Sequence, residues 1–393
     1  MIYLDVTSCC RSSLNTGVQR VVRRLYRHLA QARPVTPLRW DDRAAGFVRL
    51  KEEEQRFLTN PFEGAAASAN PEKTSWWRKW LRPVQERWQP VELFPLLEIL
   101  QPGDVLLEPE IFKDRRNDFF SALPTPRSWK LAGLFYDAIA LRFPDFNKAK
   151  RRQRFEDYLR TLADFDGVLC ISDESASDLK KFWLEQGRPG APIQVEGLGA
   201  DFSVAGPANA ANFAARRLLC VGTLEKRKNH PVLFKACERL WSQGLDFSLV
   251  LIGRSESSWG PAMEEEIRLL QERGRRVEWL QHVDDKTLEK EYAACAFTVF
   301  PSLVEGFGLP IVESVWHRRP CLCGGQGALG EAAAGGGCLI VDQTDMGGVA
   351  EAIQSLLQDE TLYQRLYQES GTRSFRSWEQ YVQSVSKFIL PEV

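Results

Sequence analysis

From about residue 217 onward the chain alternates short apolar runs with stretches whose apolar residues recur at helical spacing, and this alternation constrains its fold more than any other feature. Residues 218–221, 248–252, 277–280 and 296–300 read as strands, and 231–243 and 261–273 read as helices between them. Strands that are apolar along their whole length need cover on both faces, which is the arrangement of a parallel sheet with crossover helices. The first half repeats the pattern with longer interruptions. Strands are predicted at 2–6, 105–107, 131–135, 167–171 and 193–195, and helices at 17–30 and 148–162. A further helix opens at Ser172-Asp173-Glu174-Ser175, where a serine ahead of acidic residues supplies capping chemistry.

A chain of 393 residues exceeds what one hydrophobic core supports. The Gly-, Ala- and Asn-rich stretch 197–216 reads as the boundary between two α/β units. The first is predicted over 1–198 and the second over 199–374. Residues 41–95 break the alternation and read as an insertion in the first unit. That insertion contains Trp77, Leu81, Val84 and Trp88 on one helical face opposite a basic one. Such a segment, 76–88, fits an anionic membrane surface, a core contact or a subunit contact. In the predicted helix 17–30, Arg20, Arg23, Arg24 and Arg27 form a basic face, either simply solvated or turned toward an anionic partner.

Composition excludes several classes. Hydrophobic residues at 44%, charged residues at 26% and a net charge of −1 argue against disorder and against general nucleic-acid binding. Nine cysteines without Cys-x-x-Cys spacing and only four histidines indicate neither a disulfide framework nor a zinc site. Cys321 and Cys323, two apart in an apolar run, fall on one face of a strand and read as core. The start has no basic, apolar leader pattern, and no apolar run reaches the about 18 residues of a membrane span, so a cytoplasmic location is expected.

The chemistry is expected at Phe300-Pro-Ser-Leu-Val-Glu305-Gly-Phe-Gly-Leu-Pro310-Ile-Val-Glu313. A strand runs into a glycine loop, and Pro310 suits the first turn of a helix. The helix start offers free amides and partial positive charge, the requirement for holding a phosphate. Glu305 and Glu313 flank it. A second loop, Gly222-Thr223-Leu-Glu-Lys-Arg227-Lys228-Asn229, closes a strand and precedes another helix. Cations there are electrostatically misplaced unless an anion joins them, so Arg227 and Lys228 are candidates for a diphosphate. Tyr136 and Asp137 end a predicted strand, where ligands of open α/β sheets gather.

Glu305-Gly-Phe-Gly-Leu-Pro-Ile-Val-Glu313 resembles the E-x7-E signature of the family 4 nucleotide-sugar glycosyltransferases. The resemblance is close over the second unit and loose over the first. It implies a GT-B fold, two doubly wound Rossmann-like domains facing a central cleft, with a last helix in 375–393 crossing back to the first domain. It also implies a retaining, metal-independent enzyme that needs no cofactor beyond its nucleotide-sugar donor and uses a glycan or lipid-linked glycan acceptor. By that resemblance Glu313 binds the nucleotide ribose, Phe307, Gly308 and Leu309 hold the donor through their amides, and Glu305 faces the donor sugar. Lys228 and Arg227 meet the diphosphate beside Gly222 and Thr223, where many members carry an arginine in place of Thr223. Gly17, Arg20, Tyr136 and Asp137 lie on the acceptor side. Many members have histidine where Tyr136 stands. The Gly-Thr-Leu-Glu-x-Arg-Lys-Asn form resembles bacterial mannosyltransferases of polysaccharide and lipopolysaccharide assembly, which points to GDP-mannose. Two other classes stay open: a hydrolase using Glu305 and Glu313 as acid and base, and a non-catalytic glycan-binding protein on the same fold.

Overall fold

The computed structural model describes residues 1–12, 17–60, 91–144, 149–202 and 211–390. The first sheet begins with β1 (Ile2–Asp5), followed by the helix α1 (Gly17–Ala32) and the hairpin β2 (Val35–Asp41) and β3 (Gly46–Arg49). After α2 (Glu52–Thr59) come β4 (Val105–Glu108), β5 (Lys130–Phe135), α3 (Ala149–Leu162), β6 (Gly167–Cys170), α4 (Asp173–Glu185) and β7 (Ile193–Val195). The strand order is β3-β2-β1-β4-β5-β6-β7, parallel except for β3.

Period-2 alternation divides its apolar residues between two cores. Ile2, Leu4, Val105 and Leu107 point to one face, and Tyr3 and Leu106 to the other. Because both faces are covered, the strands carry no polar alternation, and the sequence shows them as continuous apolar runs.

The second sheet contains β8 (Arg217–Val221), β9 (Ser248–Ile252), β10 (Val277–Leu280), β11 (Phe297–Phe300), β12 (Cys321–Cys323) and β13 (Cys338–Ile340). All neighbours pair in parallel in the order β10-β9-β8-β11-β12-β13. Its connecting helices are α5 (His230–Ser242), α6 (Gly260–Glu272), α7 (Asp285–Ala294), α8 (Leu309–Trp316) and α9 (Gly327–Ala333), followed by α10 (Met346–Gln358) and α11 (Glu360–Thr372). The last helix, α12 (Trp378–Ile389), starts with a Ser377 cap whose side chain accepts from the Gln380 amide. Trp378, Tyr381, Val382, Val385 and Ile389 bury themselves against α1 residues such as Val22 and Leu25, so this helix crosses back to the first sheet as expected.

One stretch differs from the sequence reading. Residues 41–59 do not interrupt the first unit but extend its sheet, because β3 pairs antiparallel with β2 and places Phe47 opposite Trp40. Their rings meet edge-on at 5.3 Å between centroids. The charged run that suggested an insertion is helix α2, whose one buried side chain is Leu58. The tryptophan-rich segment 76–88 and part of the 197–216 boundary lie outside the described residues. None of the described helices is long and apolar enough to cross a membrane.

Candidate active site

Strand β11 is fully buried and delivers the chain to the junction of the two sheets. The loop after it is pressed against the first domain. A side chain at Gly306 would put its Cβ 2.5 Å from the Tyr136 carbonyl, so this close approach admits only glycine. Ser172, the cap of α4, donates from its hydroxyl to the Gly306 carbonyl at 2.7 Å. Gly308 then turns the chain with φ at +88° and caps α8, with Pro310 in the first turn.

A cavity of about 360 Å³ opens here between the two domains, and every site residue named from the sequence lines it. A larger hollow of about 1030 Å³ beside the β2–β3 hairpin has a mixed-charge lining that includes none of these residues. The sequence-predicted chemistry therefore converges on the smaller cavity.

Glu305 is the hub of one charge cluster. Lys228 Nζ lies 2.6 Å from its Oε1 and Arg227 Nη1 lies 2.6 Å from its Oε2. The Ser302 hydroxyl donates to Oε1 at 2.5 Å. Burial pushes the carboxyl upward, but Arg227, Lys228 and these hydrogen bonds outweigh it and hold Glu305 down at about 2. Arg227 also reaches Glu225 at 2.7 Å, and Lys228 sits 4.7 Å from the centre of the Phe300 ring. Burial lowers the Lys228 pKa against the opposing pull of Glu305. The sequence reading assigned the cations to a diphosphate and Glu305 to the sugar; in the fold these groups form one ion cluster, so each role depends on the others.

Glu313 is buried on α8 and forms a second cluster. Arg20 of α1 crosses the cleft to pair with it, and the Tyr292 hydroxyl donates to its other oxygen at 3.2 Å. Tyr292 is itself stacked on His317, with ring centroids 4.7 Å apart and planes within 10°. The basic face of α1 is thus not uniformly solvated. Arg20 joins the two domains, and Arg23 is buried, donating to the Cys9, Ser12 and Phe57 carbonyls. Arg27 is exposed.

Tyr136, named on the acceptor side from the sequence, does not turn its ring into the cavity. Its ring is buried in the first-domain core and its hydroxyl donates to the Pro109 carbonyl at 2.7 Å, because Tyr136, the residue after β5, falls on the same face as Ala132 and Leu134. Its backbone carbonyl is what meets the loop at Gly306. Asp137, the next residue, faces the cavity, accepts from the Ile139 amide at 3.1 Å, and has its pKa raised by burial despite Arg227 nearby.

Sequence reasoning missed the residues that hold the domains together. Glu331 of α9 accepts from the Asp173 and Glu174 amides at 2.9 and 2.8 Å, capping α4 from the opposite domain. Glu174 in turn accepts from the Ala328 amide and pairs with Arg142. The glycine-rich run before Glu331 was the available signal, since it leaves backbone exposed for such an approach. Tyr292 had no local signal.

Comparison with solved structures decides the architecture. Sucrose-phosphate synthase from Thermosynechococcus elongatus superposes with a TM-score of 0.68 at 17% identity, covering 98% of this chain and 97% of the other. Anabaena Alr3699/HepE in complex with UDP and glucose superposes with a TM-score of 0.64 at 13% identity, covering 99% and 98%. The fold is GT-B. Within it, residues 208–373 of the second GT-B domain match the family described as Glycosyl transferases group 1. The serotype-specific mannosyltransferase WbdA of Escherichia coli is 30% identical over 218 residues, covering 50% of this chain and 26% of the relative. O-antigen chain mannosyltransferase B of Escherichia coli is 28% identical over 241 residues, covering 58% and 61%. The matches therefore span only part of these curated relatives, about a quarter of the first and three fifths of the second.

Proposed function

We propose that this chain is a retaining, metal-independent glycosyltransferase that moves a sugar, mannose from GDP-mannose in the first instance, to a hydroxyl of a glycan or lipid-linked glycan in surface polysaccharide assembly. The observation that carries this reading is the convergence of Arg227, Lys228 and the start of α8 on one interdomain cavity. A nucleotide diphosphate leaving group gains negative charge as its bond to the sugar breaks. Two cations and a helix N-terminus oriented before the reaction stabilise that charge without solvent reorganisation. Glu313 with Tyr292 behind it supplies a fixed acceptor for ribose hydroxyls. The matches to mannosyltransferases support the choice of sugar, and the E-x7-E resemblance supports retention. The donor phosphate then takes the acceptor proton on the face from which the bond departs.

A general acid at neutral pH needs a raised pKa, and Glu305, held at about 2 by Arg227 and Lys228, does not fill that role in a hydrolase. The tryptophan-rich sequence 76–88 supports action at the cytoplasmic face of a membrane. Sedimentation with anionic vesicles, lost when Trp77, Trp80 and Trp88 become serine, tests this point.

The deciding experiment is a thermal-shift screen against GDP, UDP, dTDP and their sugars, followed by a transfer assay with lipid-linked acceptors in the presence of a chelator. Stabilisation by a guanine nucleotide and chelator-resistant transfer with retained configuration are expected. Stabilisation by none of the nucleotides overturns the reading, and binding without transfer favours the non-catalytic alternative.

A further inference from the structure

Strands β12 and β13 run parallel at one end of the second sheet, with Cys321 directly opposite Cys338. Cys323, two residues along β12, returns to the same face as Cys321. The three sulfurs all lie within 4.8 Å of one another. A metal–thiolate bond of about 2.3 Å requires sulfurs about 4 Å apart around a trigonal centre, so small rotations of these side chains complete the geometry. The sequence reading treated Cys321 and Cys323 as core and saw no metal-binding spacing, because the third thiol is brought in only by the strand pairing.

The surroundings select the kind of ion. Phe300, Ile311, Val312 and Val315 pack against this cluster, a lining poor in the oxygen donors that hard cations require. Arg373 is anchored by donating to the Ala332 carbonyl at 2.7 Å, and its guanidinium acts electrostatically on all three thiols. That positive charge, opposed at Cys338 by the nearby Glu369 carboxylate, counters part of the negative charge of three thiolates. Cys321 and Cys323 are fully buried, while Cys338 is partly exposed and provides the way in.

We propose that Cys321, Cys323 and Cys338 bind one thiophilic d10 metal ion, Cu(I) or Zn²⁺, through three thiolates, cross-linking the two strands behind the helix that carries Glu313. Binding displaces three thiol protons to solvent, forms three metal–sulfur bonds and changes no oxidation state. None of the three residues lines the interdomain cavity. The proposal therefore stands or fails independently of the transferase reading.

The test titrates the full chain, reduced and stripped of metal, with Cu(I) under anaerobic conditions and separately with Zn²⁺, each against a colorimetric chelator. The expected result is one equivalent of at least one of these ions retained, with a raised melting temperature. Cys338→Ser and Cys338→Ala are expected to lose that equivalent, while Cys237→Ser, a buried cysteine of the same domain outside the cluster, keeps it. The melting temperature of each metal-free variant reports folding, and the two substitutions at the partly exposed Cys338 guard against a failure peculiar to either. No retained metal in the parent chain, or retention unchanged at Cys338, overturns the site.

Discussion

Glu305 shares its two oxygens between Lys228, Arg227 and Ser302, so a change there removes a charge from a buried cluster as well as a group facing the cavity. Glu305→Gln is expected to retain nucleotide binding, because the cations lose a competitor for phosphate, yet to lower turnover by roughly a hundredfold or more. Initial rates and calorimetry on the same preparation test both parts, and full activity removes Glu305 from the chemistry. The carboxyl also sets an acid limit. Its folded value of about 2 lies below the ordinary 4.5, so the stabilisation is fully present above the unfolded value and is lost as pH falls through the folded one. The linkage amounts to about 3 kcal/mol across that window. Denaturant melts should show the parent weakening between these pH values while Glu305→Gln changes little there. Glu313→Ala should weaken nucleotide binding by about 1.5–3 kcal/mol per lost hydrogen bond to a charged acceptor. It also strands Arg20, so Arg20→Gln should be measured beside it to separate lost ribose contacts from lost interdomain pairing. Unchanged affinity in Glu313→Ala excludes the carboxylate from the donor site.

At the level of elements, the helix α4 depends on the other domain for part of its start. Ser172 satisfies the Ser175 amide from within the same segment, while Glu331 satisfies the Asp173 and Glu174 amides across the cleft. A cap substitution costs about 0.5–2 kcal/mol, and here that cost falls on the contact between the domains rather than on either one alone. Glu331→Ala is therefore expected to keep its secondary structure, to widen the domain separation seen by small-angle scattering, and to raise donor hydrolysis relative to transfer as water enters the cleft. An unchanged scattering profile and hydrolysis ratio would assign Glu331 to a passive surface contact. Most elements were legible locally: β9 and β10 fall where their apolar runs do, and α8 starts at the glycine and proline that announce it. The β2–β3 hairpin was not, because Pro37 and Arg39 interrupt the pattern of β2 and only its pairing with β1 and β3 identifies it as a strand.

Across the whole molecule, two parallel sheets present loops to a shared cavity, and α12 ties the end of the chain back to the first domain. Trp378 donates its amide to Asp201, and the Ala200 amide donates to the Arg376 carbonyl, so the boundary segment and the returning helix are fastened together. The sequence by itself determined the two α/β units, the glycine loop and helix start that hold the candidate donor site, and the two cations of the Gly222 loop. These depend on apolar periodicity, backbone freedom and capping, which are local properties of a chain. Only the tertiary structure decided the partners. It paired Arg20 with Glu313 across 293 residues, turned the Tyr136 ring into the core, gathered Glu305 with both cations, and set Cys338 opposite Cys321. The strength of an ion pair or a thiol cluster depends on distances and burial that folding creates between remote segments, and no local pattern in the sequence encodes them.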